Sequence, residues 1–418
     1  MFEQLRECVR LGLVTVAGVR GGYEVRGAEN DMHLRAELEQ AGAEWDEGRV
    51  AYFLASASAE SRGIVREVKG LQKATKAAAL ELAARRELAA RNGSRVFDRE
   101  RRKYQKQLTH EIRAVYEQAM LEHMQSIKSI DRILSKGKPE GVDAGEWART
   151  VAMRKNTKKE LESVVDALAA GLAKAGQNAL AVTNASLPES AATARRIASW
   201  QVSNMAGIDV SRLIGHNYAA LAATGATSYH GIYDLKAWQG VADRGQCKKA
   251  IKRAVTRGLL TGEHPERIAR RFEGLFDGTE PLSPHARAVR IARTETNRVM
   301  NEATLERIGE ANAKGIKTLK RWDAKLDDRV RDSHARVHGE VRADGEKFSN
   351  GCLKPGDGGP AESINCRCSL EPVLEGFDPV VVPLLRNPGT GEFARMEKMT
   401  FSEWEARDKA RYYMTRPT

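Results

Sequence analysis

Three cysteines and a histidine near the C-terminus are the residues whose types and spacing point most directly to chemistry. Cys366-Arg367-Cys368 is a Cys-x-Cys step. In an extended segment residues i and i+2 point the same way, so both sulfurs face one side and Arg367 the other. Cys352 lies upstream in the turn Asn350-Gly351-Cys352. His334 falls in a segment, 327–339, that Asp327 or Asp328 can cap as a helix and Gly339 can end. Val330, His334 and Val337 would share one apolar helix face there, so His334 is expected to point inward, with His338 on the same edge. Together Cys352, Cys366, Cys368 and His334 form a Cys3His set. Thiolates with one imidazole are the ligand complement of a closed, tetrahedral structural zinc site. Two other readings stay open: small core cysteines around a satisfied buried histidine, or a disulfide between two of the cysteines. A short, glycine-rich module buries little apolar surface and needs a staple, which favours a candidate structural zinc ion.

Other groups are weaker candidates for catalysis. Asp323 and Asp328 with His334 could hold a divalent ion with an open position, as a metal-dependent nuclease or other DNA-processing enzyme requires. Aspartate at a helix start is more often a cap. Arg293-Thr294-Glu295 lies on an expected long helix, where residues two apart do not face each other. Gly356-Asp357-Gly358-Gly359 lacks the Lys-Ser/Thr and helix of a phosphate loop. Neither a Gly-x-Ser-x-Gly nor a His-Glu-x-x-His motif occurs. Two basic stretches stand out: Arg99–Arg113, with Tyr104 inside it, and Lys248, Lys249, Lys252, Arg253 and Arg257. Each is either a solvated helix face or a surface for phosphate backbones. Neither has the interleaved aromatics of a single-strand stacking platform. Contact with double-stranded DNA would be nonspecific in sequence and steeply salt-dependent.

The elements that position these residues are mainly α. A small α+β cap is expected over 1–55, with β-like runs at Leu13–Val16 and Tyr23–Val25 and a helix over Met32–Glu44. Long helices follow over 56–136, rich in Ala, Leu, Glu, Lys and Arg. A break is expected at Arg91-Asn92-Gly93-Ser94, with a second helix from about Asp98. After the linker Gly137–Gly141 a helical body spans 142–313. It contains helices over Trp147–Ala175, Ser190–Ala206, Cys247–Leu260, Glu266–Phe276 and His285–Ala313. Pro265 suits a first helical position and Gly315 a stop. Residues 314–376 form a small irregular α+β module that opens with a strand over Lys314–Asp323. The tail, 377–418, ends in a helix opened by the capping box Thr400-Phe401-Ser402-Glu403.

Bulk properties agree with this outline. The 418 residues carry 30% charged and 6% aromatic side chains, a surface-rich composition suited to helices. The net charge of +12 favours contact with polyanions. Of five cysteines, three crowd between 352 and 368, and no signal peptide is apparent at the start, so a reduced compartment is expected. No apolar run reaches the roughly 18–20 residues a membrane span needs, so a soluble protein without membrane contact is expected.

The module resembles the phage head morphogenesis family of minor head proteins, the Mu gpF-like and SPP1 gp7-like group, over roughly residues 285–375. The carriers are Ile291-Ala292-Arg293-Thr294-Glu295-Thr296, Arg321-Trp322-Asp323-Ala324, and Asp328-Arg329-Val330-Arg331 with His334 and Gly339. Phe348, Pro355-Gly356 and Ile364-Asn365-Cys366-Arg367-Cys368 complete the series. Cys352 lies outside that pattern. The resemblance implies a structural virion protein, not an enzyme, made in the host cytoplasm and housed in the capsid interior near the portal. Its partners would be the portal protein, the shell and nearby DNA, and its roles head assembly and DNA packaging, retention or ejection. This domain type also occurs fused to toxins. A toxin-like effector is therefore a third reading, set against the short segment that follows the module.

Overall fold

The computed structural model describes residues 15–19, 22–26, 38–40, 43–46, 51–55, 59–214, 240–279, 283–377 and 400–406. The protein is mainly α. Near its start, β1 (Thr15–Val19), β2 (Gly22–Arg26), β3 (Glu44–Asp46) and β4 (Ala51–Ala55) form an antiparallel sheet in the order β1-β2-β4-β3. Glu44 opens a strand instead of ending a helix. Of the helix expected over Met32–Glu44, residues 38–40 are helical and 32–37 lie outside the described residues.

Two long helices dominate the body, α1 (Ala59–Ser135) and α3 (Lys155–Ala206), with the short α2 (Ala144–Ala152) between them. The expected break at 91–94 does not occur. Gly93 stays within α1 because a neighbouring side chain needs its missing Cβ: a methyl group there would stand 1.6 Å from Gln201 Nε2 on α3. The glycine permits close approach of two helices and is not a stop. The next helix boundary also moves. Asp143 caps α2 by accepting from the Gly145 and Glu146 amides, and α3 then runs unbroken through Pro188 to Gly207, whose φ of 70° ends it. Proline inside a helix forfeits a backbone hydrogen bond. Here Leu187 and Ala191, on either side of it, are buried with Phe97 of α1 and with Val299 and Ala303 further along the chain. Packing of the apolar faces overrides the local breaker.

After α4 (Ser211–Ile214), the segment 215–239 lies outside the described residues. Then come α5 (Arg244–Leu260), α6 (Pro265–Asp277) and α7 (Pro284–Ala313). Pro265 and Pro284 occupy first-turn positions, as expected of a residue with no amide to lose. Leu108, Ile112 and Tyr116 of α1, Leu168 and Leu172 of α3 and Phe272 of α6 form the main core. In the tail, Thr400 and Glu403 make the reciprocal capping box, and Phe401 and Trp404 pack on Trp200 and Met300.

Gly315, at φ 78°, turns the chain from α7 into β5 (Ile316–Asp323). β5 is the middle strand of an antiparallel sheet, with β6 (Val341–Arg342) on one side and β7 (Ser369–Phe377) on the other. Ile316, Thr318, Lys320 and Trp322 alternate inward along it. Two short helices lie between the strands, α8 (Asp332–Arg336) and α9 (Pro360–Ser363). The helix expected over 327–339 is thus shortened to α8. Asp327 does not cap it. Its carboxylate accepts from both Arg367 guanidinium nitrogens, at 2.5 Å each, and from the Arg329 amide at 3.0 Å.

Candidate metal centre

The module is a small sheet with a core of its own, and the chemistry-bearing residues lie in that core. Trp322, at 0% exposure, is its largest member and comes from the inward face of β5. Phe348, Val337 and Ala324 surround it. The His334 ring meets Trp322 edge to face at 5.2 Å between centroids, and Phe348 meets Trp322 at the same distance. α8 is only one and a half turns long, yet it delivers His334 into this core at 2% exposure.

Against the imidazole stand the two sulfurs of the Cys-x-Cys step. His334 Nδ1 is 3.4 Å from Cys368 Sγ and 3.7 Å from Cys366 Sγ. Both thiols face inward, while the Arg367 side chain turns outward to Asp327. The alternation expected of an extended segment is therefore present. On the far side of the ring, His334 Nε2 lies 2.8 Å from Glu362 Oε2 of α9, and that carboxylate also accepts from Ser333 Oγ at 2.9 Å.

These distances can be tested against a tetrahedral ion. With metal–sulfur and metal–nitrogen bonds of about 2.3 and 2.05 Å, the sulfur-to-nitrogen edge of a tetrahedron is about 3.6 Å. The observed 3.4 and 3.7 Å bracket it. Glu362 places a carboxylate at ion-pair distance from the distal ring nitrogen but not in hydrogen-bond geometry, so it supplies negative charge beside the imidazole and does not fix its tautomer. The two distances suit a tetrahedral ion, and among the described residues the three donors leave its fourth position without a protein ligand.

Electrostatics point the same way. The hydrogen bond from Cys368, and after it the nearby His334, hold the Cys366 thiol well below its usual range against the effect of burial. Hydrogen bonding to Cys366 together with burial pushes Cys368 up. Burial pulls the His334 pKa down, but Cys366 and Glu362 outweigh it and the net shift is upward. A metal would take up the thiolate that these shifts favour and would have to displace the proton that a raised imidazole pKa favours.

Cys352 is not among the gathered donors. Among the described residues, His334, Cys366 and Cys368 form the one group of three or more such ligands within reach of a single ion. The Cys352 thiol is buried in the same core but donates to the Asp357 carbonyl at 3.4 Å, and burial raises its pKa to about 11. All four described cysteines are free thiols, so the disulfide alternative is not realised in this structure.

The residues that hold the Cys-x-Cys strand in place come from elements far away in sequence. Arg101 of α1, at 2% exposure, donates to the Arg367 carbonyl, to Asn297 Oδ1 at 2.9 Å and to Asp98 at 2.9 Å. On α7, Asn301 donates to the Cys368 carbonyl at 3.2 Å and accepts from the Leu370 amide at 2.6 Å. Thr294 Oγ1 accepts from the amide of Asn365, whose φ of 57° turns the chain into the strand. In the sequence Arg101 reads as part of a basic run, and Asn297 and Asn301 do not stand out. The signal present there is an i, i+4 pair of asparagines among the buried polar residues Thr294, Arg298 and Thr304 of α7.

The constellation a nuclease would need is not assembled. Asp323 faces Ser94, Lys325 at 3.4 Å and His338 at 3.6 Å. Asp328 is exposed, and His334 is enclosed with the thiols. Glu295 is buried and paired with Arg298 at 2.9 Å, one helical turn on, while Arg293 is exposed.

Comparison with known proteins defines the class. Residues 249–371 match the family described as Phage Mu protein F like protein. Among individual relatives, the minor head protein GP7 of Bacillus phage SPP1 is 32% identical over 165 residues, 38% of this chain and 51% of that protein. A protein named NAD(+)–arginine ADP-ribosyltransferase EFV, from Enterococcus faecalis, is 29% identical over 42% of this chain and 34% of its own length. An uncharacterized protein of Haemophilus influenzae is 28% identical over 44% of this chain and 36% of its own. The matched part of the chain therefore spans about a third to a half of these relatives. No solved structure matches.

Proposed function

We propose that the chain is a structural minor head protein of a tailed phage. It would sit in the capsid interior against the portal and act in head assembly and in DNA packaging, retention or ejection. The observation that carries this reading is that the segment matching phage minor head proteins contains the His334–Cys366–Cys368 group as an enclosed core feature, each residue at 2–3% exposure. Such a group suits a staple better than a reaction centre, which must admit substrate. Among the described residues no helix is long and apolar enough to cross a membrane. In this reading the site holds structural zinc through His334, Cys366 and Cys368, with the Glu362 carboxylate beside the imidazole.

Co-expression with the portal and shell proteins of the same phage tests the proposal. The chain is expected to co-purify with the portal oligomer and with procapsids. A purified, folded chain that ignores both would overturn it. The transferase relative supplies a second reading, in which this chain would modify arginine using NAD(+). Only about a third of that relative is matched, so the shared part need not be its reactive part. Transfer of labelled ADP-ribose to an arginine-rich substrate by the purified chain would establish the second reading.

A further inference from the structure

The outward face of the Cys-x-Cys strand borders a cleft of about 950 Å³ between α1 and the module. Arg102, Lys106 and Arg113 line it from α1, and Arg293 from α7. Arg329, Arg331 and Arg367 line the opposite wall. Among the described residues no carboxylate lines it, and His110 is the one ring side chain in the lining. Three of these cations have acidic neighbours: Arg102 with Asp98 at 3.8 Å, Arg113 with Glu117 at 3.9 Å, and Arg367 with Asp327 at 2.5 Å. For Lys106, Arg293, Arg329 and Arg331 the described residues include no carboxylate within ion-pair distance. Arg293 and Arg329 are exposed, and Arg331 is held in place by donating to the Ile364 carbonyl at 2.5 Å.

We infer that this cleft is a binding site for the phosphodiester backbone of nucleic acid, held through phosphates and not through bases. The inference rests on the proposed place of the chain beside packaged DNA, and it names the surface that meets that DNA. Three features select this ligand. The α1 cations run from 102 to 113, about 16 Å at 1.5 Å per residue. That length offers cations to several successive phosphates of one strand, more than a nucleotide or free phosphate presents. A single imidazole, His110, is not the row of aromatic faces on which successive bases stack. Among the described residues Ile364 is the one large apolar side chain in the lining, whereas protein interfaces carry an apolar centre. Both walls are needed, and the second wall is the strand whose inward side carries the thiols. The residues that pin that strand, Arg101, Asn301 and Thr294, therefore also set the width of the cleft.

Fluorescence anisotropy on the full chain tests this, using labelled duplex DNA, single-stranded DNA and inorganic polyphosphate at several salt concentrations. The double variant Lys106→Ala/Arg293→Ala spans both helices of the near wall. Arg329→Glu reverses a charge on the far wall. Both change exposed side chains. Duplex affinity is expected to fall at least about tenfold in each. The slope of log affinity against log salt should become shallower by about 1.8 for the double variant, about 0.9 for each phosphate no longer neutralised. The control Lys249→Ala/Lys252→Ala, on the exposed stripe of α5, should bind like the parent. Single-stranded DNA bound more tightly than duplex would keep the site and assign it to displaced strands. Unchanged duplex binding in both cleft variants, or an equal loss in the control, would overturn the inference. So would polyphosphate that binds as tightly as duplex. Co-purification with the portal is measured separately, so failure of the cleft and failure of the head-protein reading are distinguishable.

Discussion

Removing zinc from the purified chain should unfold the module first, and the size of the effect follows from the site. The imidazole nitrogen already stands at about the tetrahedral edge length from both sulfurs, so binding requires little rearrangement. Free zinc at about 100 times its dissociation constant would then stabilise the folded chain by about 2.7 kcal/mol. Each kcal/mol moves the midpoint of a 150–250-residue domain by about 2–4 °C, so chelation should lower the first thermal transition by about 5–10 °C. Metal content by elemental analysis and melting with and without a chelator measure both quantities. Cys366→Ser and Cys368→Ser should each lose the metal and melt at the chelated temperature with or without added zinc. Cys352→Ser should keep a full equivalent, because that thiol is engaged with the Asp357 carbonyl and stands outside the donor group. A parent chain that purifies without zinc, fails to take it up and melts unchanged with a chelator would refute the metal reading. It would leave the thiols and imidazole as packed core residues.

Further outcomes follow from other parts of the fold. Trp322→Ala should cost about 3–5 kcal/mol in chemical denaturation, because it empties the centre of the module core; a loss below about 1 kcal/mol would mean that the core is not built around this ring. Gly93→Ala should destabilise despite the better helix propensity of alanine, by about 1–2 kcal/mol, through the approach of Gln201. Adding Gln201→Ala should relieve that loss, and purely additive effects would refute the packing account. Burial first, and nearby Asp323, raise the Glu371 carboxyl to about 7 from 4.5, against the opposing effects of Arg321 and Ser94. The folded chain then holds a proton that the unfolded chain has lost, so stability should fall as pH rises from about 4.5 to 7, by up to about 3 kcal/mol. Glu371→Gln should flatten that part of the profile in urea titrations, and an unaltered slope would exclude Glu371 as its source.

Much of this was legible in the sequence where local physics decides. The boundaries of α5, α6 and α7 follow from periodicity and first-turn prolines. The inward turn of His334 and the two-sided segment 366–368, just before β7, follow from the period of an extended chain and the apolar neighbours of the histidine. What failed was read from single residue types whose role depends on partners distant in the chain. Gly93 looks like a stop until Gln201 is opposite it, and Pro188 looks like a break until Phe97 and Val299 cover its neighbours. Asp327 looks like a cap, but the guanidinium of Arg367 binds its carboxylate instead. Arg101 looks like one more solvated cation, yet it is buried because the Arg367 carbonyl and Asn297 need a donor there.

The placement of Arg101 bears on how the site and the body depend on each other. A guanidinium buried at 2% exposure and hydrogen-bonded to three acceptors cannot be removed without stranding at least two of them. Breaking such a buried network by truncating one partner costs about 3–5 kcal/mol. Those acceptors lie on α1, on α7 and on the backbone between the two thiols. The long helices and the module are therefore one mechanical unit at this point. Arg101→Met should weaken zinc retention although methionine fills much of the volume and residue 101 touches no ligand atom. A Lys103→Met control, on the exposed face of the same stretch of α1, should leave zinc retention as in the parent. If both variants hold zinc equally well, the module is set by its own core alone, and the helices serve only as its platform.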